Sequence, residues 1–193
     1  MKIYLSPSTQ ETNLCAMGDR EEDHCNQIVD LIEPYLKASG VLFHRNLREM
    51  SHISSKDESN LYEPDLHYAL HSNAANGTTR GHNVYICSKG GNAERFANIL
   101  VSKQAEIYSL LNRVIVPTEK YTEIFYTDAP AVIDEIAFHD NAEDAKWIHD
   151  NMAAIAKNKA QAICEFFGVE CKEPPKSISI NELIAQGYTN ITI

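Results

Sequence analysis

The run Ala131-Val132-Ile133-Asp134-Glu135-Ile136-Ala137-Phe138, entered through Pro130, does most to limit what this chain can become. Six of its eight residues are apolar, so it reads as a strand buried on both faces, the kind found in parallel sheets covered by helices. Two carboxylates interrupt it. Strand alternation sends Asp134 and Glu135 to opposite faces. A buried carboxylate is costly unless it is paired, hydrogen-bonded or bound to metal. Glu135 is therefore a candidate catalytic group, and Asp134 is read as solvated near a sheet edge.

The remaining pattern agrees with such a sheet. Short apolar runs at 2–5, 41–44, 66–70, 84–87 and 114–116 predict further strands. Between them lie helical patterns. Ile28, Leu31, Ile32, Tyr35 and Leu36 share one face of a helix over 20–38, with Gly40 as its stop. A second helix spans 93–111. A third runs from the cap Asn141, with Asp144 in capping-box position, to about Gly168. The polar stretch 48–60 predicts a loop with a short helix. Strands alternating with helices predict an α/β fold: an open, mostly parallel twisted sheet with helices on both faces. Residues 1–171 form the catalytic-domain candidate. Lys172-Glu173-Pro174-Pro175-Lys176 is a linker by its prolines, and the tail to residue 193 is too short to fold alone. That tail is free to dock on the main domain, to pair with a second copy as a homo-oligomer contact, or to meet another partner.

Charge narrows the function. A formal net charge of −10 argues against nucleic acid and against an anionic membrane surface. The five cysteines show no paired spacing, which suggests reduced thiols in a protein made in the cytoplasm. No run reaches membrane-span length. Lys2-Ile3-Tyr4-Leu5 already reads as a strand rather than a signal peptide, so action outside the cell requires some other release.

In Asp65-Leu66-His67-Tyr68-Ala69-Leu70-His71-Ser72-Asn73-Ala74, an apolar strand runs into His71, where a small-residue loop opens. Ligands collect where strands end in α/β sheets, and a histidine there can bind metal or move protons. This stretch resembles the "SIHxNA" strand of zinc-dependent N-acetylmuramoyl-L-alanine amidases. Ala129 to Asn141 is similar to that family's "PAVLVExGFxxN" strand. Arg20-Glu21-Glu22-Asp23, with Asn26 beyond, resembles its metal-binding glutamate at the start of the first helix. Ile3-Tyr4-Leu5-Ser6-Pro7-Ser8 looks like the opening of a clostridial and phage-type lytic branch. The resemblance runs in order over residues 1–168.

The resemblance implies cleavage of the amide between N-acetylmuramic acid and L-alanine in peptidoglycan, with zinc held by His, Glu and His and a further Glu as general base. Residue by residue, His71 corresponds to a zinc ligand, Glu22 to the glutamate ligand with Glu21 as fallback, and Glu135 to the base. The family's first histidine lies in a "GHGG" loop, but here the loop reads Pro7-Ser8-Thr9-Gln10-Glu11. Gln10 is the nearest candidate for the third ligand and Glu11 the second, although an amide oxygen is a poorer zinc ligand than imidazole. His67 lies about 13 Å from His71 along an extended strand. His24 is two residues from Glu22 on a helix and points elsewhere. Asn73, Arg80 and His139 are candidates for contact with the muramyl peptide. Two functions follow: a lytic zinc amidase, released by a holin, by lysis or by non-classical export, or a wall-binding or regulatory module that kept the fold and lost metal catalysis.

Overall fold

The computed structural model describes residues 1–110 and 113–175. Among these residues six strands form one sheet in the order β2-β1-β3-β6-β4-β5. They are β1 (Lys2–Pro7), β2 (Leu42–Arg45), β3 (Leu66–Asn73), β4 (His82–Ile86), β5 (Arg113–Pro117) and β6 (Ala131–Phe138). β2, β1, β3 and β6 run parallel, as the alternating pattern implies. β4 runs antiparallel to β6 and carries β5 with it. The eight residues 74–81 between β3 and β4 explain the reversal, since a parallel return needs a crossover of about a dozen residues or more.

Helices α1 (Glu21–Ser39), α3 (Asn92–Ile107) and α5 (Ala142–Phe167) pack on one face of the sheet and on each other. Ile28, Ile32 and Leu36 of α1, Phe96 and Leu100 of α3, and Ile148, Ile155 and Ile163 of α5 meet Leu5, Tyr68, Leu70, Val132 and Ile136 there. The other face is covered by α2 (His52–Tyr62) and the short α4 (Thr122–Phe125), over a smaller cluster of Ala69, Ile124, Ala131 and Ile133. Gly40 closes α1 in the left-handed conformation, φ 74°, its N–H donating to the Leu36 and Lys37 carbonyls. The linker and tail expected from residue 172 lie mostly outside the described residues, and with them the expected contact between copies.

Two expectations need correction. Asp134 is not solvated: it is fully buried on the α1/α3/α5 face. Lys159 Nζ sits 2.9 Å from its Oδ2, Tyr68 donates to the same oxygen at 2.8 Å, and His82 Nε2 lies 2.6 Å from Oδ1. Burial resists the charge, but Lys159 and His82 hold the carboxyl well below the usual carboxylate range. Asp144 does not close a capping box either. Asn141 caps α5 through its side chain, while Asp144 accepts from the Phe138 and Gly81 N–H groups and binds Arg80 and Tyr108.

A charge paired this deeply is costly to orphan. Lys159→Met is expected to lower stability by about 3–5 kcal/mol, because it removes the ammonium paired with Asp134 in the core and leaves His82 and Tyr68 as its remaining partners. Urea unfolding at neutral pH measures it; a loss under about 1 kcal/mol would mean that water replaces the amine.

Candidate active site

The register of the two central strands sets His71 of β3 directly beside Glu135 of β6, one strand spacing of about 4.8 Å apart in backbone. Both side chains lie on the α2/α4 face, because Asp134 and Tyr68 occupy the other. The pairing slips between His71 and Asn73, an irregularity that re-aims side chains at the end of a strand.

Glu21, the first residue of α1, reaches this point from the side. Its Oε1 lies 2.8 Å from His71 Nδ1 and accepts from the Ser72 N–H at 3.4 Å. Asn13 Nδ2 bridges the β1–α1 loop to it, donating to Glu21 Oε2 and to Gln10 Oε1, both at 2.8 Å. Burial opposes charge on both members of the Glu21–His71 pair. Their contact outweighs it: Glu21 falls to about 2 and His71 rises to about 9. Without a cation, the pair is carboxylate and imidazolium.

A third carboxylate closes the group. Glu123 of α4 accepts from Ser6, its Oε1 is 3.1 Å from His67 Nε2, and its Oε2 is 3.9 Å from His71 Nε2. His67 in turn meets Ser59 at 2.8 Å. His67 and His71 therefore do not share a ligand position; a buried carboxylate stands between them, as their separation along the strand requires. Glu135 Oε2 is buried with no hydrogen-bond partner among the described residues. Burial pushes its carboxyl up to about 8, His71 pulls it down, and Glu21 and Asp134 add to the rise.

His71, Glu123 and Glu135 face a cleft of about 370 Å³, with Glu21 behind His71. Thr9 and Gln10 form one wall, Ser51 and His52 at the start of α2 another, and Tyr121, Thr122 and Glu123 a third, over a floor of His71, Ile133 and Glu135. A larger cavity of about 710 Å³ has three carboxylates in its lining, Glu63, Asp65 and Asp128, beside Arg95, but neither histidine nor cysteine.

The model of the N-acetylmuramoyl-L-alanine amidase family matches residues 3–165. The chain belongs to this family. The catalytic domain of the amidase CwlV from Bacillus (Paenibacillus) polymyxa var. colistinus superposes with a TM-score of 0.78 at 17% identity, covering 88% of this chain and 100% of that one. The amidase Ami1 from Mycobacterium smegmatis gives 0.77 at 16% identity, over 87% of this chain and 97% of that one. An uncharacterized 38.4 kDa protein of Clostridium perfringens is 32% identical over 91 residues, which are 46% of this chain and 27% of that protein's length. Zinc dependence is typical of these amidases.

Within the amidase fold the expected site residues divide. His71, Glu135 and Gln10 line one cleft. Glu22 does not join them: its carboxylate turns toward Arg48, 3.8 Å away, and Glu21 takes the place beside His71. Successive residues of a helix point about 100° apart, so only one of the two can face the strand end. Asn73 Oδ1 accepts from the Ala74 N–H and shapes the loop. Arg80 is engaged by Asp144 at 2.6 Å and by Glu143. His139 is buried, with its Nδ1 2.8 Å from the Ser72 carbonyl. Glu123 and the cleft-lining Tyr121 were not visible in the sequence pattern.

Proposed function

We propose that this chain hydrolyses the amide between the lactyl group of N-acetylmuramic acid and L-alanine in peptidoglycan, using zinc held in the His71 cleft. The observation that carries this reading is the convergence of His71, Glu21 and Glu135 at the end of the central strands, in a chain of this family. The residues fit a cation. Three carboxylates act on one imidazole, and one oxygen of Glu135 has no hydrogen-bond partner among the described residues. His71 and Glu21 would hold the metal, with the Gln10 amide oxygen in place of the family's first histidine. Bound zinc polarises the scissile carbonyl and acidifies a water molecule.

The side chains supply the rest. Glu135 takes a proton from the attacking water and delivers it to the alanine nitrogen as the C–N bond breaks. Water adds across the amide, giving a lactyl carboxylate and a free amine. Glu123, fixed by Ser6 and His67, steadies His71 from its Nε2 side. The cleft between the β1–α1 loop and α4 would take the stem peptide.

Purified walls incubated with the zinc-loaded protein are expected to release new alanine amino termini without new reducing sugars. A chelator should stop the release and zinc should restore it. Muropeptide binding without any amine release would instead make the chain a wall-binding module.

A further inference from the structure

Behind the cleft, on the other side of Ser72, a second set of ligating side chains meets. Cys15 and Asp19 come from the β1–α1 loop, His24 from α1 and His149 from α5. One ligand atom each from Cys15, Asp19 and His24 lies within 4.8 Å of the others. Cys15 Sγ is 3.5 Å from His24 Nδ1, which is 3.0 Å from Asp19 Oδ2. The other Asp19 oxygen and His149 Nε2 are both buried and face each other at 3.0 Å. Cys15 and His24 are almost completely enclosed.

We propose that Cys15, Asp19 and His24, with His149 as the fourth group, bind a second zinc ion that fastens the β1–α1 loop. Thiolate, carboxylate and imidazole are a zinc set; calcium and magnesium want oxygen alone. A thiolate and a carboxylate bring two negative charges, which a divalent ion neutralises. Binding replaces the Cys15 thiol proton, which leaves to solvent as the sulfur–metal bond forms. His24 is already oriented for the role. Its Nε2 lies 2.7 Å from Ser72 Oγ, so an N–H donated there turns the Nδ1 lone pair toward Cys15 and Asp19, the outer contact that ligating histidines need.

The placement gives the ion a task. Thirteen residues, 8–20, join β1 to α1, a long span for a loop without regular structure of its own. It carries Gln10 and Asn13, which reach the cleft and Glu21. A cation at Cys15 and Asp19 ties the far half of the loop to α1 and α5, and through Ser72 sits one residue from His71. The proposal rests on these side chains and not on what the cleft hydrolyses.

Cobalt(II) separates the two centres, because only the second has a sulfur ligand. The metal-free chain reconstituted with cobalt is expected to bind two equivalents and to show a near-ultraviolet thiolate-to-cobalt band. Cys15→Ser should lose the band and one equivalent; His71→Ala should lose the other equivalent and keep the band. Alkylation mapped by mass spectrometry should find Cys15 protected when metal is bound. A parent protein that binds cobalt without the band, a band that survives Cys15→Ser, or a band that disappears with His71→Ala overturns the second site. None of these readings depends on wall cleavage.

Discussion

Glu135→Gln is expected to cut wall hydrolysis by about 10²–10⁴-fold, the range that a positioned general base contributes, while zinc content stays at the parent level. The same substitution should make the metal-free protein more stable at alkaline pH. Burial raises Glu135 to about 8, above its ordinary value, so the folded state holds this proton more tightly than the unfolded chain. That advantage is complete below the unfolded value, near 4.3, and is lost as pH rises through about 8. Glutamine has no proton to lose. With tenfold in proton affinity worth about 1.4 kcal/mol, the two pH units from 6 to the folded value set a ceiling of about 2.7 kcal/mol, and water at the cleft mouth screens part of it, so the gap between variant and parent should open by roughly 1–2.5 kcal/mol from pH 6 to pH 9. Chelator-treated proteins compared by urea unfolding across that range show it. Parallel stability curves would mean that Glu135 is already ionised in the folded chain, and undiminished hydrolysis would remove it as the base.

What made Glu135 legible was its cost. An acidic residue in an otherwise apolar strand must have a reason, and the reason could be sought before any coordinates. Its neighbour Asp134 obeyed the same logic with a different answer, because Lys159, His82 and Tyr68 come from three distant elements that no local pattern links to it. The sheet followed from apolar runs, yet the reversal of β4 lay in a loop length rather than in a strand. Glu123 sits on a four-residue helix in a polar stretch with no hydrophobic period, so nothing local marked it. Cys15, Asp19 and His149 were equally silent: three solitary residues brought to His24 by a loop and by the last helix. Sequence pattern reports what each element buries against the sheet. It is blind to which isolated polar residues the folded chain gathers.

The choice between Glu21 and Glu22 turns on one step of helical rotation, and a pair of variants decides it. Glu21→Gln is expected to weaken zinc binding by about 10²-fold or more, with hydrolysis falling alongside, since it removes an anionic group from the metal and from His71 together. Glu22→Gln should stay within about twofold, because that side chain, although buried, turns to Arg48 and not to His71. The imidazole gives a readout that needs no metal. Glu21 does most to lift His71 to about 9 against the opposing effect of burial, so in chelated Glu21→Gln the titration of His71, followed by nuclear magnetic resonance, should move down toward its ordinary range. In Glu22→Gln it should not move. The parent must also shed the His71 proton to accept zinc, so its zinc affinity should climb with pH up to about 9, and Glu21→Gln should flatten that climb at lower pH. A Glu22 variant that loses zinc, or a His71 titration indifferent to Glu21, would turn α1 by one residue and move the ligand with it.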